Sequence, residues 1–167
     1  RLAPHLVEYR GLDVSAEAVA YVNRHRDRLG RAAARVRVDR AAAHELDGVE
    51  AGRYDVAVLN SVVQYFPSAA YLSRVVGGLA GRLAPGAAAI VIGDVRNARL
   101  LDAELAEALL DAALPETPVA ELAAKLDLLV RDEPERCFDP AFFAGLRAIH
   151  PRLRGVRIVP KRGPCLN

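Results

Sequence analysis

The chain has 167 residues, of which 52% are hydrophobic and 26% are charged, a composition typical of a globular domain and not of a disordered or fibrous protein. Lys and Arg number 23 against 21 Asp and Glu, which leaves a net charge of +2. The arginines are dispersed, so nucleic acid is not the indicated partner. The apolar runs are too short to span a membrane, and residues 1–10 lack the pattern of a secretory signal. Cys137 and Cys165 lie far apart without a CxxC pair, so we predict no metal site and a cytoplasmic location.

Short apolar segments alternate with amphipathic ones, which predicts an α/β fold with a doubly wound, mostly parallel sheet. The predicted strands are 6–12, 35–38, 55–60, 87–92 and 156–159. The predicted helices are 16–29 with Ser15 as cap and Gly30 as stop, 68–83 between Ser68 and Pro85-Gly86, two helices within 100–130, and 140–149 after Asp139. The strand 55–60 is a continuous apolar run, so we expect it to be covered on both faces.

Asp13 is a candidate ligand-binding residue because it follows the first predicted strand. In open parallel sheets, ligands bind outside the carboxyl ends of the strands, and a carboxylate there can accept both hydroxyls of a ribose. Alternatively, Asp13 is an acid before a helix, stabilised by the helix dipole. The local sequence leaves both interpretations open.

The segment 60–67 places Asn60, Ser61, Gln64 and Tyr65 directly after the most apolar strand. So many polar side chains beside a core strand indicate a ligand site. A structural interpretation is also open, in which Asn60 and Ser61 cap the strand and the residues up to Pro67 form a rigid turn.

Three stretches carry a family resemblance: residues 54–67, the turn Leu83-Ala84-Pro85-Gly86, and residues 90–96. Together they resemble the methyltransferase domain embedded in nonribosomal peptide synthetases, and the resemblance extends to 9–15, 138–143 and 159–163. It implies a Rossmann-like class I fold with S-adenosylmethionine as cofactor. It also implies methylation, mostly at nitrogen, of an aminoacyl or peptidyl group tethered to a carrier protein, beside neighbouring synthetase domains. Residues 1–167 are then a single, partial domain with a helical insertion at about 100–130.

The resemblance also implies roles for individual residues. Asp13 is expected to bind the ribose hydroxyls of the cofactor, and Val14 is also expected to bind the cofactor. Ala42, Ala43 and His44 are expected at the adenine, and Asn60 and Ser61 at the methionine part or the sulfonium. Those expected to bind the acceptor are Gln64, Tyr65, Asp94 and Arg96. Asn60, Gln64 and Tyr65 are expected to be catalytic by orienting the amine through hydrogen bonds, while solvent or a nearby carboxylate takes its proton. His44 has no visible partner in the sequence and is expected to be solvent-exposed rather than a general base.

The family begins with a strand and a glycine-rich GxGxG loop, whereas here Arg1–Pro4 matches the end of the helix that follows the loop. We therefore expect a fragment that lacks the central strand, between the strands ending at Asp13 and Asn60. Two unpaired strand edges should then reduce stability and cofactor affinity. Two further function classes stay open. A nucleotide-binding domain of the dehydrogenase type would explain Asp13 but not 60–67, and a truncated, non-catalytic module would serve as a structural or interaction surface.

Overall fold

This computed structural model describes residues 5–86 and 88–160. The expectations for Arg1–Pro4, Ala87, Cys165 and the tail beyond Pro160 lie outside the described residues. The strands are β1 (Tyr9–Asp13), β2 (Val36–Arg40), β3 (Val56–Asn60) and β4 (Ala89–Gly93). The helices are α1 (Ala16–His25), α2 (Ala69–Arg82), α3 (Leu101–Ala112), α4 (Val119–Arg131) and α5 (Pro140–Ile149), with 3-10 segments at Arg26–Arg35 and Val63–Tyr65.

The described strands form two separate parallel pairs. β1 pairs with β2 from Tyr9 opposite Val36, and β3 pairs with β4 as far as Asn60 opposite Gly93. The predicted α/β class with parallel strands is confirmed. Among the described residues no ladder of hydrogen bonds joins β1 to β3, so the doubly wound arrangement of one sheet stays a prediction.

The main core lies around β3, α2 and α5. Its buried members are Leu59, Val63, Leu72, Val75, Val76, Phe138 and Leu146. α2 supplies the residues spaced three and four apart that face this core. The Ser68 hydroxyl accepts a hydrogen bond from the Tyr71 N–H at 3.0 Å. The predicted cap and helix 68–83 are therefore confirmed to within a residue.

The helix predicted over 16–29 is shorter in the structure. Its Ser15 cap is confirmed, since the Ser15 hydroxyl accepts from the Ala18 N–H at 3.1 Å. However, α1 ends at His25, and Gly30 lies inside the following 3-10 segment with φ of 55°. α1 has no buried residue, so no packing against the core stabilises a longer α-helix over 16–29. The positive φ at Gly30 also interrupts the 3-10 segment that follows α1.

Two further predictions about strands are wrong. β3 is not covered on both faces, because Val56 and Val58, which point to the same side, are 53% and 61% exposed. The segment 156–159 is not a strand, because no described strand pairs with it and its apolar side chains stay largely exposed.

The two helices predicted within 100–130 are confirmed as α3 and α4, and the helix after Asp139 as α5. In residues 5–86 and 88–160, no helix has the length and apolar character needed to cross a bilayer.

Candidate functional site

A polar network joins the carboxyl ends of β3 and β4. The Asn60 amide nitrogen donates to the Ser61 hydroxyl at 2.9 Å, and that hydroxyl donates to Asp94 Oδ2 at 2.6 Å. The Ser61 N–H also donates to the Gly93 carbonyl at 3.2 Å. The structure thus brings three of the predicted site residues into direct contact at one edge of the sheet.

The backbone at this network is strained. Ser61 and Asp94 have φ of 55° and 56°, the left-handed region that residues with a Cβ rarely adopt. Each follows the last residue of its strand, so the turn directs both side chains toward each other. At Gly93, an added Cβ would overlap the Asn60 amide oxygen, so only glycine allows Asn60 to lie over the end of β4. Strain of this kind concentrates at ligand-binding sites.

Gln64 and Tyr65 lie in the 3-10 turn directly after this network. The Tyr65 hydroxyl donates to Glu135 Oε1 at 2.7 Å. This hydrogen bond, and the negative charge of Glu135, raise the pKa of the Tyr65 phenol above its usual value. Gln64 is only 8% exposed, and its Oε1 has no hydrogen-bond partner among the described residues. The turn therefore presents a neutral phenol beside a buried amide.

The segment 133–139, between α4 and α5, fastens this turn to the loop after β4. The Arg136 N–H donates to the Gln64 carbonyl at 2.9 Å, and the Arg136 guanidinium donates to the Phe66 and Pro67 carbonyls at 3.0 and 2.8 Å. On the other side, the Phe138 N–H donates to the Arg96 carbonyl at 2.9 Å. Sequence reasoning missed residues 133–137 of this segment. Its signal was the run of charges from Arg131 to Arg136.

Arg96 is surrounded by carboxylates. Its guanidinium lies 2.8 Å from Glu133, 3.5 Å from Glu104 and 3.7 Å from Glu135, and its side chain is mostly buried. These acids come from α3 and from the segment 133–139, and sequence reasoning missed all of them. Arg96 therefore holds two loops together instead of presenting a free cation. Its predicted place at the acceptor entrance stays a prediction.

Asp13 lies at the carboxyl end of β1 and is exposed. Its Oδ1 accepts from the Ser15 N–H at 2.8 Å, and its carbonyl accepts from the Ala41 N–H at 3.0 Å. The adjacent Val14 is exposed, and its carbonyl accepts from Arg40 at 3.2 Å. One oxygen thus shapes the turn into α1 and the carboxylate faces solvent at a strand end, and the binding of a ribose by Asp13 stays a prediction.

The loop that contains Ala42, Ala43 and His44 follows β2. The Ala42 N–H donates to Glu45 at 2.6 Å, and Ala43 packs against the main core. His44 is exposed as expected, but the expectation that it lacks a partner is wrong, because its Nδ1 lies 2.9 Å from the Tyr71 hydroxyl. The loop is therefore tied to α2.

The predicted site residues consequently fall into two groups. Asp13, Val14 and the loop 42–44 follow the β1–β2 pair, and the remainder follow the β3–β4 pair. Across the groups the side chains offer neutral hydrogen-bond donors and carboxylate acceptors, which suit binding and orientation. Among the described residues, no three His, Cys, Asp or Glu side chains are grouped to hold a metal ion.

Similarity to known sequences is strong over nearly the whole chain. The family described as "Methyltransferase domain" matches residues 1–89. Chondramide synthase cmdD of Chondromyces crocatus is 37% identical over 163 residues, which are 98% of this chain and 4% of that protein. Nonribosomal peptide synthetase penN of Penicillium thymicola is 37% identical over 99% of this chain and 6% of that protein. For cyclosporin synthetase simA of Tolypocladium inflatum, the identity is 36% over 97% of this chain and 1% of that protein. The chain spans only a small part of these relatives.

A solved structure supports the fold class. It is described as a possible exported protein from Bordetella parapertussis and matches with a TM-score of 0.56 at 16% identity, over 85% of this chain and 45% of that one. At this identity the likeness concerns the fold alone. A methyltransferase domain implies a Rossmann-like α/β fold, in agreement with the parallel pairs and their helices. Because the family match covers more than half of the sequence, the chain belongs to the methyltransferase domain family.

Proposed function

We propose that the chain forms the cofactor- and acceptor-binding part of an S-adenosylmethionine-dependent methyltransferase. Its substrate is the amino nitrogen of an aminoacyl or peptidyl group tethered to a carrier protein, within a cytoplasmic nonribosomal peptide synthetase. The observation that carries the proposal is the contact of Asn60, Ser61 and Asp94 at the carboxyl ends of β3 and β4, where α/β sheets bind ligands. Similarity to several synthetases over nearly the whole chain supports the substrate class.

The chemistry of the residues fits this cofactor. Asp13 offers an exposed carboxylate at a strand end, suited to a pair of ribose hydroxyls. The Ala42 and Ala43 side chains offer a small apolar surface for a flat base, and Asn60 and Ser61 offer polar groups for an amino acid moiety. Val14 and His44 complete the set that would hold it. When bound, S-adenosylmethionine supplies an electrophilic methyl group on a sulfonium.

The acceptor side of the site consists of Gln64, Tyr65, Asp94 and Arg96. An amine attacks only with a free electron pair, so the site must accept a proton from an acceptor that arrives as an ammonium ion. The Tyr65 phenol and the Asn60 amide would hydrogen-bond such an amine. Arg96 supports this side through its ion pairs with Glu133 and Glu104.

A further part of the proposal is a central strand between β1 and β3. It is supported by the absence of a ladder between these two strands among the described residues and by the exposure of Val56 and Val58. A parallel strand there would hydrogen-bond to both edges and unite the pairs into one sheet. Its following glycine-rich loop would let the backbone approach the cofactor.

Calorimetric titration of S-adenosylmethionine tests this proposal. The 167-residue protein is compared with a longer one in which a strand and a GxGxG loop are joined ahead of Arg1. We expect much tighter binding by the longer protein, and Asp13→Ala should weaken it by roughly 10- to 100-fold through the loss of charge-assisted hydrogen bonds. Asp27→Ala is the matched control, because Asp27 is an exposed acid of the 3-10 segment after α1.

Two outcomes would contradict the proposal. Binding by neither protein would favour a non-catalytic module, and equal weakening by the two substitutions would remove Asp13 from the site. The acceptor is tested separately by incubating the longer protein with an aminoacyl carrier protein and locating the added methyl group by fragment mass spectrometry. A methyl group on carbon or oxygen would contradict the assignment to nitrogen.

A further inference from the structure

We propose that Glu135 is a positioning residue that orients the Tyr65 hydroxyl and receives, through it, the proton lost by the acceptor amine. The proposal rests on the proposed function, and it identifies the carboxylate that receives the proton of the acceptor amine. It starts from the 2.7 Å hydrogen bond between Tyr65 Oη and Glu135 Oε1.

This hydrogen bond fixes the direction of the Tyr65 hydroxyl. An ionised carboxylate has no proton to donate, so the phenol must donate to Glu135. The phenol oxygen then turns a lone pair away from Glu135. Tyr65 is 69% exposed, so an approaching amine can reach this lone pair. Tyr65 therefore accepts a hydrogen bond from the amine. An acceptor at this position favours binding of the protonated amine, which still has a proton to lose.

Glu135 is itself held in place. Its N–H donates to Glu133 Oε1 at 3.0 Å, and the adjacent Arg136 is fastened to the turn that carries Tyr65. Glu135 also lies 3.7 Å from Arg96, whose charge is shared with Glu133 and Glu104. Among the described residues, the charged and titratable groups in contact with Glu135 include Tyr65, Arg96, Glu133 and Cys137.

The proton transfer balances without a further reactant. The ammonium N–H bond breaks as its proton moves to the Tyr65 oxygen, and the nitrogen keeps the electron pair. At the same time, the Tyr65 O–H bond breaks and its proton moves to Glu135. The phenol is regenerated and Glu135 becomes a carboxylic acid. Since the Glu135 side chain is 27% exposed, it can return the proton to solvent.

The contact is tested first in the 167-residue protein by following phenol ionisation through ultraviolet absorbance. The component lost in Tyr65→Phe identifies Tyr65. In Glu135→Gln this component should move to lower pH, because the carboxylate that favours the neutral phenol is gone. Glu121→Gln is the matched control, because Glu121 is an exposed acid of α4 that pairs with Lys125, and it should leave the component in place. An unmoved component in Glu135→Gln would overturn the contact.

The role is tested by methyl transfer in the longer protein over a range of pH. Glu135→Gln should lower kcat at neutral pH by about 100-fold, the scale of general base catalysis, with little change in KM. The loss should disappear at alkaline pH, where the amine is already neutral in solution. Glu121→Gln should keep the wild-type kcat and the wild-type shape of the pH profile.

A merely structural role for Glu135 predicts a different result, in which the loss is the same at every pH. That result, or an unchanged kcat, would overturn the proposal. Thermal melts check that each variant folds. If Glu135→Gln does not fold, Tyr65→Phe serves instead, and it should show the same recovery at alkaline pH. Failure of the wild-type protein to methylate an amine at any pH would overturn the proposed function and the relay together, whereas the absorbance titration judges the contact separately.

Discussion

The two halves of the molecule differ in how they are held. The β3–β4 half, which comprises residues 53–93 with α5, contains most of the main core, including the fully buried Val63 and Leu72. In the β1–β2 half, residues 5–52, α1 buries no residue and the few buried side chains lie outside that core. The acceptor side of the proposed site is therefore built on packed elements. Asp13, Val14 and residues 42–44, which are proposed for the ribose and adenine of the cofactor, lie at a strand end and on turns of the other half.

The composition of two helices explains this difference. α2 carries apolar residues at positions that share one face, and four of them are buried. α1 carries Asn23, Arg24 and His25 in its last turn, where an apolar residue would be needed to extend its contact with the sheet. The proposed site therefore joins a well-packed part of the molecule to a part with few buried side chains.

Removing a core side chain from the β3–β4 half should have the largest effect. Leu72→Ala should lower the free energy of unfolding by about 2–5 kcal/mol, because it leaves a cavity in a fully packed region. Urea unfolding followed by circular dichroism measures the change. Val36→Ala, in the β1–β2 half, should produce a smaller loss. Leu128→Ala is the control, since Leu128 is 46% exposed. Equal losses for Leu72→Ala and Val36→Ala would contradict the difference between the halves.

An intermediate effect is expected at the strained turn of the β3–β4 half. Ser61→Ala removes the donor to Asp94 and keeps the left-handed φ, so unfolding should become easier by about 1–3 kcal/mol. Ser61→Gly removes the same hydrogen bond but relieves the backbone strain. It should therefore be more stable than Ser61→Ala by roughly 1 kcal/mol. Urea unfolding of both variants measures this, and a less stable glycine variant would show that the φ at Ser61 is not strained.

The sequence predicted helices and strand ends correctly where capping residues, turns and apolar spacing agree with the packing of the structure. Ser68, the apolar spacing of α2 and the Pro85-Gly86 turn were sufficient to predict that helix, and Asn60, Ser61 and Asp94 were correctly assigned to strand ends that the structure brings together. The prediction for 156–159 failed because an apolar run becomes a strand only beside a partner, and pairing is a property of the tertiary structure.

The segment 133–139 shows the other limit of the sequence. Glu135 lies 70 residues from Tyr65 along the chain, and no local pattern indicates that such distant residues meet. The positive φ of Ser61 and Asp94 was equally hidden, because neither residue type requires that conformation. Sequence reasoning therefore identified the strand-end residues of the site but not the residues that orient them.

The smallest expected effect concerns a polar link between the halves. Glu8, just before β1, accepts from Arg53 at 2.6 Å and from the Tyr54 hydroxyl at 3.0 Å, and both partners lie just before β3. The hydrogen bond from Arg53, and then that from Tyr54, lower the pKa of Glu8 below its ordinary value of 4.5. A carboxyl with a lowered pKa in the folded state stabilises the fold above its unfolded pKa, and this contribution disappears as the pH falls through its folded pKa.

Glu8→Gln should therefore lower the urea midpoint at pH 7, and the difference from wild type should vanish at a pH below the folded pKa of Glu8. Glu50→Gln is the control, because Glu50 pairs with the same Arg53 but is 68% exposed and lies close to it in sequence, so it should change the midpoint less at pH 7. A Glu8→Gln difference that stays constant with pH would mean that the carboxylate charge does not join the halves. A difference that follows the predicted pH dependence would identify this ion pair as a link that supports the two strand pairs before any central strand is added.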